Sequence, residues 1–505
     1  MRCIRFFLFL LVFQPFTGSA QTMTYTEYNK KDSRDMFFEV IGKFNGNFLI
    51  YKNITRKHSI TKYDANMKVL TQSDLDFVPD RTINVDFVAY PDYLFIIYQY
   101  QKNGIVYCDA ARIDADGNKV GEPRQLDTTK IGFFADNKIY STTYSEDKQK
   151  ILLYKRHIKN DNITIATKLF DNGLNQIDSS RQFLRYDERR EAYSELSVAN
   201  NGSFLFSKET RKSSWDNASS LDVVVKKQQS DTFIYHNISL QKKFVEEVSI
   251  KIDNLNRNFL VNSFYYGTRR GSVEGLFTAM LDMDGKDPIK AAFNRFSDSL
   301  RIKINSSEQY KFVFDNLSPR NIIIKKNGGF IIVAEDFYTE TLNSNNAWNR
   351  NYWNNTLPYS NYNDYFLSNP YYYGYRPFNN FNRDISTRFY YDDIVIASID
   401  SSLNLVWNDI IHKKQYDVDN DNFLSYSLMN VGGELHFLFI DKDKQKEIIS
   451  NHSVSPSGEI KRYPTLKSNE RGYTFMPKLG KQVGARQMII PYIYLNRIGF
   501  AKVDF

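Results

Sequence analysis

Five arginines lie in polar stretches that follow short apolar runs, and their chemistry is the strongest local signal in the chain. They are Arg56, Arg156, Arg211, Arg269 and Arg270. A guanidinium group binds a phosphate or a carboxylate through two parallel hydrogen bonds. Four aromatic residues in similar stretches offer flat faces for stacking on sugars or peptides: Trp215, Trp348, Trp353 and Tyr372. We predict that these nine residues contact an anionic ligand or a partner.

Motifs for catalysis or metal binding are weak by comparison. The six histidines lack the spacing of a zinc site, and the chain has no Gly-x-Ser-x-Gly elbow and no phosphate-binding glycine loop. The stretch from Asp417 begins like a calcium loop, but Asn422 and Leu428 occupy the positions that require Gly and a bidentate Glu. We interpret it as a solvated connector. The sequence predicts no catalytic residue, no metal and no cofactor.

The elements that would position these residues come from an eightfold repeat. The apolar runs are Phe48–Tyr51, Tyr93–Tyr98, Ile151–Tyr154, Phe204–Phe206, Phe259–Val261, Phe330–Val333, Leu435–Phe439 and Met488–Ile490. Each is followed by a turn residue: Asp64, Asp114, Asp171, Asp231, Asp282, Asp400, Ser455 and Asp504. A period of about 50 residues built from short β-rich segments is typical of a propeller blade of four antiparallel strands. The predicted fold is all-β, a propeller of eight blades. Seven blades are the alternative, because the fourth repeat has the weakest turn.

Both chain ends are expected to close the ring. The last repeat stops at Phe505, where the others turn into their fourth strand, and the segment Thr22–Asn29 is strand-like. We predict that this segment supplies the missing strand, which would pair the open edges. Residues 21–505 are then one domain, since a closed repeat structure grows by adding blades.

An insertion rich in Asn and Tyr interrupts the sixth repeat at about residues 340–387, where successive turn residues are 118 positions apart. Its position predicts a connection between the second and third strands of that blade. Long loops in compact domains are often functional, and the insertion contains Trp348, Trp353 and Tyr372. It is predicted to be a recognition loop, with flexible low-complexity sequence as the alternative.

Charge is predicted to be unequal on the two faces of the ring. All loops between second and third strands emerge on one face, and the assigned stretches carry a summed charge of about +7. Loss of Arg2 and Arg5 from 66 Lys and Arg leaves an excess of 6 over the 58 Asp and Glu. This face, which includes His58 and His157, is therefore expected to attract anionic partners.

The first 20 residues have the pattern of a secretory signal peptide. Arg2 and Arg5 precede the apolar stretch Phe6–Phe13, and small residues end at Ala20. Cys108 would be the sole cysteine of the exported chain, which excludes an internal disulfide. No later window is apolar enough for a membrane-spanning helix.

Two stretches carry a resemblance to known proteins. Asn321–Glu335 and Tyr390–Val395 resemble exported propeller-like proteins of unknown function from Gram-negative bacteria, over about Asn321–Ile440. The resemblance implies export and a β-repeat fold, and it transfers no catalytic residue. Because the last repeat reaches Phe505, the periplasm or a peripheral association with the outer membrane is favoured, with the extracellular space as the alternative.

The function predicted from these features is a non-enzymatic binding or scaffolding protein of the bacterial cell envelope. Its partner would be an envelope protein or an anionic polysaccharide such as lipopolysaccharide, and nucleic acid is not expected. A carbohydrate-active hydrolase stays open as the alternative. It would require a pair of carboxylates about 5 to 10 Å apart in a central pocket, and such residues need not be adjacent in the chain.

Overall fold

Each apolar run of the repeat forms the second strand of a four-stranded antiparallel sheet, and eight such sheets form the ring. The protein is an eight-bladed β-propeller. The computed structural model describes residues 21–131, 138–298, 300, 316–341, 387–443, 446–466 and 472–505. The fourth repeat forms its own sheet, which excludes the seven-blade alternative.

The strands of the first four blades follow the chain from the innermost outward. They are β2 (Phe37–Phe44), β3 (Asn47–Ile54), β4 (Lys57–Tyr63) and β5 (Val69–Asp74); β6 (Thr82–Ala89), β7 (Tyr93–Lys102), β8 (Ile105–Asp114) and β9 (Lys119–Lys130); β10 (Ser141–Tyr144), β11 (Lys150–Lys159), β12 (Asn162–Asp171) and β13 (Gln176–Arg185); and β14 (Glu191–Tyr193) with β15 (Ser197–Val198), β16 (Phe204–Thr210), β17 (Ser220–Lys226) and β18 (Ile234–Ile238).

The last four blades repeat this order, and the eighth borrows its outer strand from the start of the chain. They are β19 (Phe244–Asp253), β20 (Asn258–Tyr266), β21 (Val273–Asp282) and β22 (Lys290–Arg295); β23 (Leu317–Ile324), β24 (Phe330–Thr341), β25 (Thr387–Ile399) and β26 (Leu405–Ile411), with β27 (Gln415–Val418) also on β25; β28 (Tyr426–Val431), β29 (Glu434–Asp443), β30 (Lys446–Val454) and β31 (Ile460–Leu466); and β32 (Thr474–Phe475) with β33 (Lys481–Gly484), β34 (Gln487–Tyr494), β35 (Arg497–Asp504) and β1 (Thr22–Tyr25). A 3₁₀ helix, Pro477–Leu479, precedes β33.

The core lies between the blades. Successive side chains of a strand point to opposite faces, so each second strand packs against both neighbouring blades. In the second blade, Leu94 and Ile96 pack toward the first blade, whereas Phe95 and Ile97 pack toward the third. One apolar cluster joins every neighbouring pair of blades, including the last and the first.

The Asp-marked turns share one geometry. One carboxylate oxygen of Asp114 accepts the backbone N–H groups of Asp116 at 2.9 Å and Asn118 at 2.8 Å. Asp64, Asp171 and Asp400 make the equivalent pairs of bonds. Gly117 follows with φ +90°, a conformation that glycine adopts without strain. These aspartates build the connections between third and fourth strands.

The predicted closure of the ring is confirmed. β1 pairs antiparallel with β35, with Thr22 opposite Asp504 and Tyr25 opposite Ala501. The Tyr25 ring lies 5.2 Å from the Tyr473 ring, and the Tyr28 ring stacks on Tyr494 at 5.6 Å. The closing strand is therefore held by two kinds of contact: backbone hydrogen bonds to β35 and aromatic packing against the eighth blade.

Tyr25 and Tyr28 pack β1 and the residues after it against the eighth blade. We therefore expect that Tyr25→Ala combined with Tyr28→Ala releases β1 and opens the ring. The free energy of unfolding should fall by about 2 kcal/mol or more, because half-buried aromatic contacts are lost. Urea unfolding measures it. Phe37→Ala is the control, because that ring at the start of β2 is 47% exposed. Equal losses in both variants would contradict a structural role for β1.

Candidate functional site

On one face of the propeller the connections between strands differ in length from blade to blade, and the longer connections locate the candidate site. We call it the loop face: the face on which the second and third strands of each blade are joined. Among the described residues, four blades have two-residue turns there, at residues 55–56, 103–104, 160–161 and 495–496, and both residues of each turn have positive φ. In contrast, the connections in blades 4, 5 and 6 span residues 211–219, 267–272 and 342–386. The three long connections stand on consecutive blades.

Four of the residues predicted from the sequence lie in the long connections of blades 4 and 5. Arg211 and Trp215 come from the long connection of blade 4, and Arg269 and Arg270 come from that of blade 5. We call these four residues the blade 4–5 patch. Arg270 Nε donates to Asp216 Oδ1 at 2.8 Å, and Arg269 Nε lies 3.9 Å from Asp216 Oδ2. Asp216 thus holds the two loops together.

The anchoring carboxylate is ionised and the groups above it are exposed. Burial opposes ionisation, but hydrogen bonds from Ser213 and then Arg270 hold the pKa of Asp216 below its usual value. The side chains of Arg269 and Arg270 are 41% and 58% exposed, and Trp215 is 65% exposed. The patch therefore presents two guanidinium groups and an indole ring to solvent.

A chain of hydrogen bonds leads from the patch to carboxylates on the inner strands. The backbone N–H of Arg270 donates to Asn217 Oδ1 at 2.8 Å, and Asn217 Nδ2 donates to Glu246 Oε2 at 2.7 Å. Glu209, which pairs with Arg211 at 3.4 Å, accepts the backbone N–H of Val248 at 3.3 Å. Glu246 and Val248 belong to β19, the innermost strand of blade 5.

Glu247 is the least satisfied of these acids. It lies at a β-bulge of β19 with φ +55°, and its Oε2 atom is buried without a hydrogen-bond partner among the described residues. Desolvation, followed by the charge of Glu246, raises the pKa of Glu247 to about 7, although Arg320 acts in the opposite direction. Such a carboxyl group is able to exchange a proton near neutral pH.

A buried ionic cluster occupies the neighbouring blade 6. Glu335 is fully buried, with Lys413 Nζ at 2.8 Å and Arg320 Nε at 3.4 Å. Ser425, in the connection to blade 7, donates its hydroxyl to Glu335 Oε2 at 2.7 Å. The Arg320 guanidinium also lies 5.7 Å from the centre of the Tyr391 ring. Arg320 stands at a bulge of β23, the innermost strand, so the cluster ties blade 6 to blade 7 near the axis.

Three more acidic residues lie on the central strands of blade 6: Asp336 on β24, and Asp392 and Asp393 on β25. Burial, with the negative charges of Asp392 and Asp393, raises the pKa of Asp336 well above its usual value. Desolvation raises the pKa of Asp392 to about 6. Asp393 is paired with the half-exposed His412 at 3.2 Å. Over the residues that the structure describes, no three His, Cys, Asp or Glu side chains are placed so that they could hold a metal ion.

The stretch that resembles a calcium loop is partly exposed in its first half, where Val418 is 37% exposed, but our interpretation of it as a solvated connector is wrong for its second half. Asn420, Asp421 and Asn422 are buried between blades 6 and 7. Asp421 Oδ2 accepts the Tyr391 hydroxyl at 2.8 Å and pairs with Lys478. Asp421 thus supplies the counter-charge for Lys478, a buried lysine of the eighth blade.

The structure distributes the remaining predicted residues differently. Arg56 is exposed in the β3–β4 turn of blade 1, away from blades 4 and 5. Arg156 was predicted to lie in a loop, but it belongs to β11 and is 2% exposed. Its guanidinium binds the Tyr193 and Ser194 carbonyls and pairs with Glu195 at 2.9 Å. Trp348, Trp353 and Tyr372 lie outside the described residues.

Arg156 belongs to a set of polar residues on second strands that bond to the next blade, and the sequence analysis did not predict this set. Counted from Leu94, Ile151, Phe204 and Phe330, the sixth residue of each run is polar and bonds to the next blade. These residues are Gln99, Arg156, Glu209 and Glu335. The signal was present as a polar residue five positions after the first residue of three runs and five positions after Leu94, the second residue of the run Tyr93–Tyr98.

Comparison of the sequence with models of protein families gave no match, and comparison with curated proteins gave none either. Solved structures with a distant likeness include the polysaccharide lyase Uly1, with 9% identity, a TM-score of 0.38, and coverage of 83% of this chain and 89% of that one. A PL25 ulvan lyase has 10% identity, a TM-score of 0.38 and coverage of 94% and 95%. Apo prolyl oligopeptidase B from Galerina marginata has 8% identity, a TM-score of 0.41 and coverage of 92% and 56%. The chain thus spans about half the length of that peptidase, and likenesses this distant carry no argument about activity.

None of the helices among the described residues is long and apolar enough to cross a membrane.

Removal of the central charge of the blade 6 cluster should be costly. We expect Glu335→Gln to lower the free energy of unfolding by about 3 to 5 kcal/mol, because Lys413 and Arg320 are then buried without their counter-charge. Urea unfolding at pH 7 measures this. Glu340→Gln, on the same strand but partly exposed, is the matched control and should cost less than about 1 kcal/mol. Equal losses would contradict the cluster's role.

Glu247 predicts a pH dependence of stability. A carboxyl group whose pKa is raised to about 7 by folding opposes folding increasingly as the pH rises toward that value. Glu247→Gln should therefore gain stability over the native protein between pH 5 and pH 8, by at most about 3 kcal/mol. Thermal unfolding across this range measures the difference. The exposed Glu459→Gln is the control, and parallel pH profiles of all three proteins would refute the burial of this charge.

Proposed function

We propose that the protein is a non-enzymatic binding protein of the bacterial cell envelope that recognises an anionic polysaccharide on the loop face over blades 4 to 6. The observation that carries the proposal is the exposed Trp215, which directly precedes Asp216, the residue that Arg269 and Arg270 approach. The leader-like first 20 residues supply the expectation of export.

The chemistry of the patch favours a charged sugar chain. An indole ring that is 65% exposed is a flat apolar surface suited to the face of a sugar ring. An arginine has five N–H donors, and Asp216 accepts one of them from Arg270, through Nε, while the Nε of Arg269 lies 3.9 Å from it. The other N–H donors of these exposed side chains suit a carboxylate or a sulfate on the same sugar.

The hydrogen bonds that hold the blade 4–5 patch in place also favour binding. Asp216 is 5% exposed and accepts hydrogen bonds from Ser213 and Arg270, while Asn217 bridges Arg270 to Glu246. A loop fixed in this way loses little conformational freedom when a ligand binds.

The test is isothermal titration with a polyuronate, a sulfated polysaccharide and a neutral glucan. We expect the native protein to bind an anionic chain and not the neutral one. Trp215→Ala and the double variant Arg269→Ala with Arg270→Ala should each weaken binding by about tenfold or more.

Two matched controls separate the patch from the surface in general. Tyr235→Ala removes an exposed ring from the outer strand of the same blade. Arg189→Ala with Arg190→Ala removes another exposed pair of consecutive arginines. Both controls should retain affinity. Equal weakening by both arginine pairs would contradict the proposal, and capture of an envelope protein through Trp215 with no polysaccharide binding would replace the glycan by a protein partner.

The hydrolase alternative has one observation in its favour, namely Glu247 with its raised pKa and the neighbouring Glu246 on the innermost strand. The same titrations can be followed by size-exclusion chromatography of the polysaccharide. Shortened chains with the native protein and intact chains with Glu247→Gln would favour an enzyme over a binding protein.

A further inference from the structure

A second basic site lies on a different part of the ring, between blades 2 and 3. It is a cleft of about 220 Å³. The residues that matter for its chemistry are Thr129, Lys130, Lys155, His157, Thr164 and Arg181. Thr129 and Lys130 come from β9, the outer strand of blade 2, and the others come from blade 3.

The hollow arises from one small residue between two cations. In the register of blade 3, Lys155 of β11 lies opposite Ala166 of β12, and Ala166 lies opposite Arg181 of β13. Paired residues on neighbouring strands share one face of the sheet. The methyl group of Ala166 therefore leaves a gap between the ammonium and guanidinium groups. His157 and Thr164 form the next row on the same face.

The floor of the cleft is rigid. Lys155 Nζ donates to Asp127 Oδ2 at 2.7 Å and to Thr129 Oγ1 at 2.8 Å, and it lies 5.1 Å from the centre of the Tyr140 ring. Thr129 in turn shares a hydrogen bond of 2.6 Å with the Tyr140 hydroxyl. Lys155 is thus a fixed charge, while Lys130 and Arg181 are exposed at the rim.

The charges around the cleft do not cancel. Asp127 is shared between Lys155 and Lys168, at 2.7 and 2.9 Å. One carboxylate therefore faces two lysines, and Lys130 and Arg181 add two further positive charges. The local field favours an anion, and the threonine hydroxyl groups are able to donate hydrogen bonds to it.

We propose that this cleft binds a tetrahedral oxyanion, a sulfate or phosphate group, either free or as an ester on a sugar. Its volume is below the roughly 300 to 1,000 Å³ of pockets that enclose whole drug-sized ligands. It suits one charged group with the adjoining part of a sugar. The proposal shares no residue with the blade 4–5 patch, so either site is able to fail its test alone.

The test is isothermal titration at low ionic strength, with inorganic sulfate, inorganic phosphate, glucose 6-sulfate, glucose 6-phosphate and glucose as ligands. The titration is made on the native protein and on the double variant Arg269→Ala with Arg270→Ala, which lacks the guanidinium groups of the blade 4–5 patch. Saturable binding of the anions at one site in that variant, without binding of glucose, is expected. Tighter binding of a sugar ester than of the free ion would identify the ester as the source of the group.

Two variants test the site by different means. Lys130→Ala with Arg181→Ala removes charge, and Ala166→Leu fills the hollow while every cation is kept. Each should weaken anion binding by about tenfold or more. The control, Arg189→Ala with Lys326→Ala, removes two exposed cations elsewhere and should leave the affinity within about twofold.

Thermal unfolding of each variant without ligand establishes that it is folded. The proposal is overturned if the native protein shows no saturable binding at millimolar anion, or if the control weakens binding as much as the charge variant. It is also overturned if a folded Ala166→Leu protein binds as the native protein does, since the cleft itself would then be irrelevant.

Discussion

The second strand of every blade is buried on both faces, and the rest of the molecule depends on that constraint. In a sheet exposed on one side, alternate residues are polar. Here the strand lies between two neighbouring blades, so consecutive residues such as Phe204, Leu205 and Phe206 are all buried. Apolar packing to both sides joins eight sheets into one ring, and polar contacts between blades lie at the strand ends, as between Gln99 and Tyr140 at the loop face and between Lys226 and Asp178 at the opposite face.

That division explains where the charged residues lie. At the loop face, the second strands of blades 2, 3, 4 and 6 carry a polar residue beyond the apolar run, and this residue binds the next blade. Glu335 and Glu209 do this with carboxylates, Arg156 with a guanidinium and Gln99 with an amide. Glu335 pairs with Arg320 of the innermost strand of blade 6, and Glu209 bonds to β19, the innermost strand of blade 5. The exposed Arg270 is linked to β19 as well, through Asn217 and Glu246.

Much of the fold could be predicted from the sequence, because it depends on local patterns. The eight apolar runs, the aspartate turns and the β-strand near Met23 each carry their own signal within a few residues. Arg156 shows what local patterns leave out. Its apolar run stops at Tyr154, which suggests a loop, but the strand continues to Lys159 because Glu195 and two carbonyls from the next blade satisfy the guanidinium.

The candidate site was harder to predict for the same reason. Trp215, Arg269 and Arg270 were identified by residue type, but their meeting at Asp216 depends on how blades 4 and 5 are placed. Glu247 gave no signal in the sequence, because its unusual environment is created by a bulge of β19 and by burial, which depends on how the blades pack. Asn420, Asp421 and Asn422 look like solvent-exposed residues, and only the packing of Tyr391 and Lys478 accounts for their burial.

The strand that closes the ring also imposes an order on synthesis. β1 is among the first structured segments to be made, yet its partner β35 is the last, and Thr26 binds Phe500 across 474 positions of sequence. Contacts between such distant segments form slowly, since the loop that they close is nearly the whole chain. Until β35 has been synthesised, blade 8 has an unpaired edge and β1 has no partner. During this period the incomplete ring is open to pairing with other chains, because exposed strand edges readily recruit them.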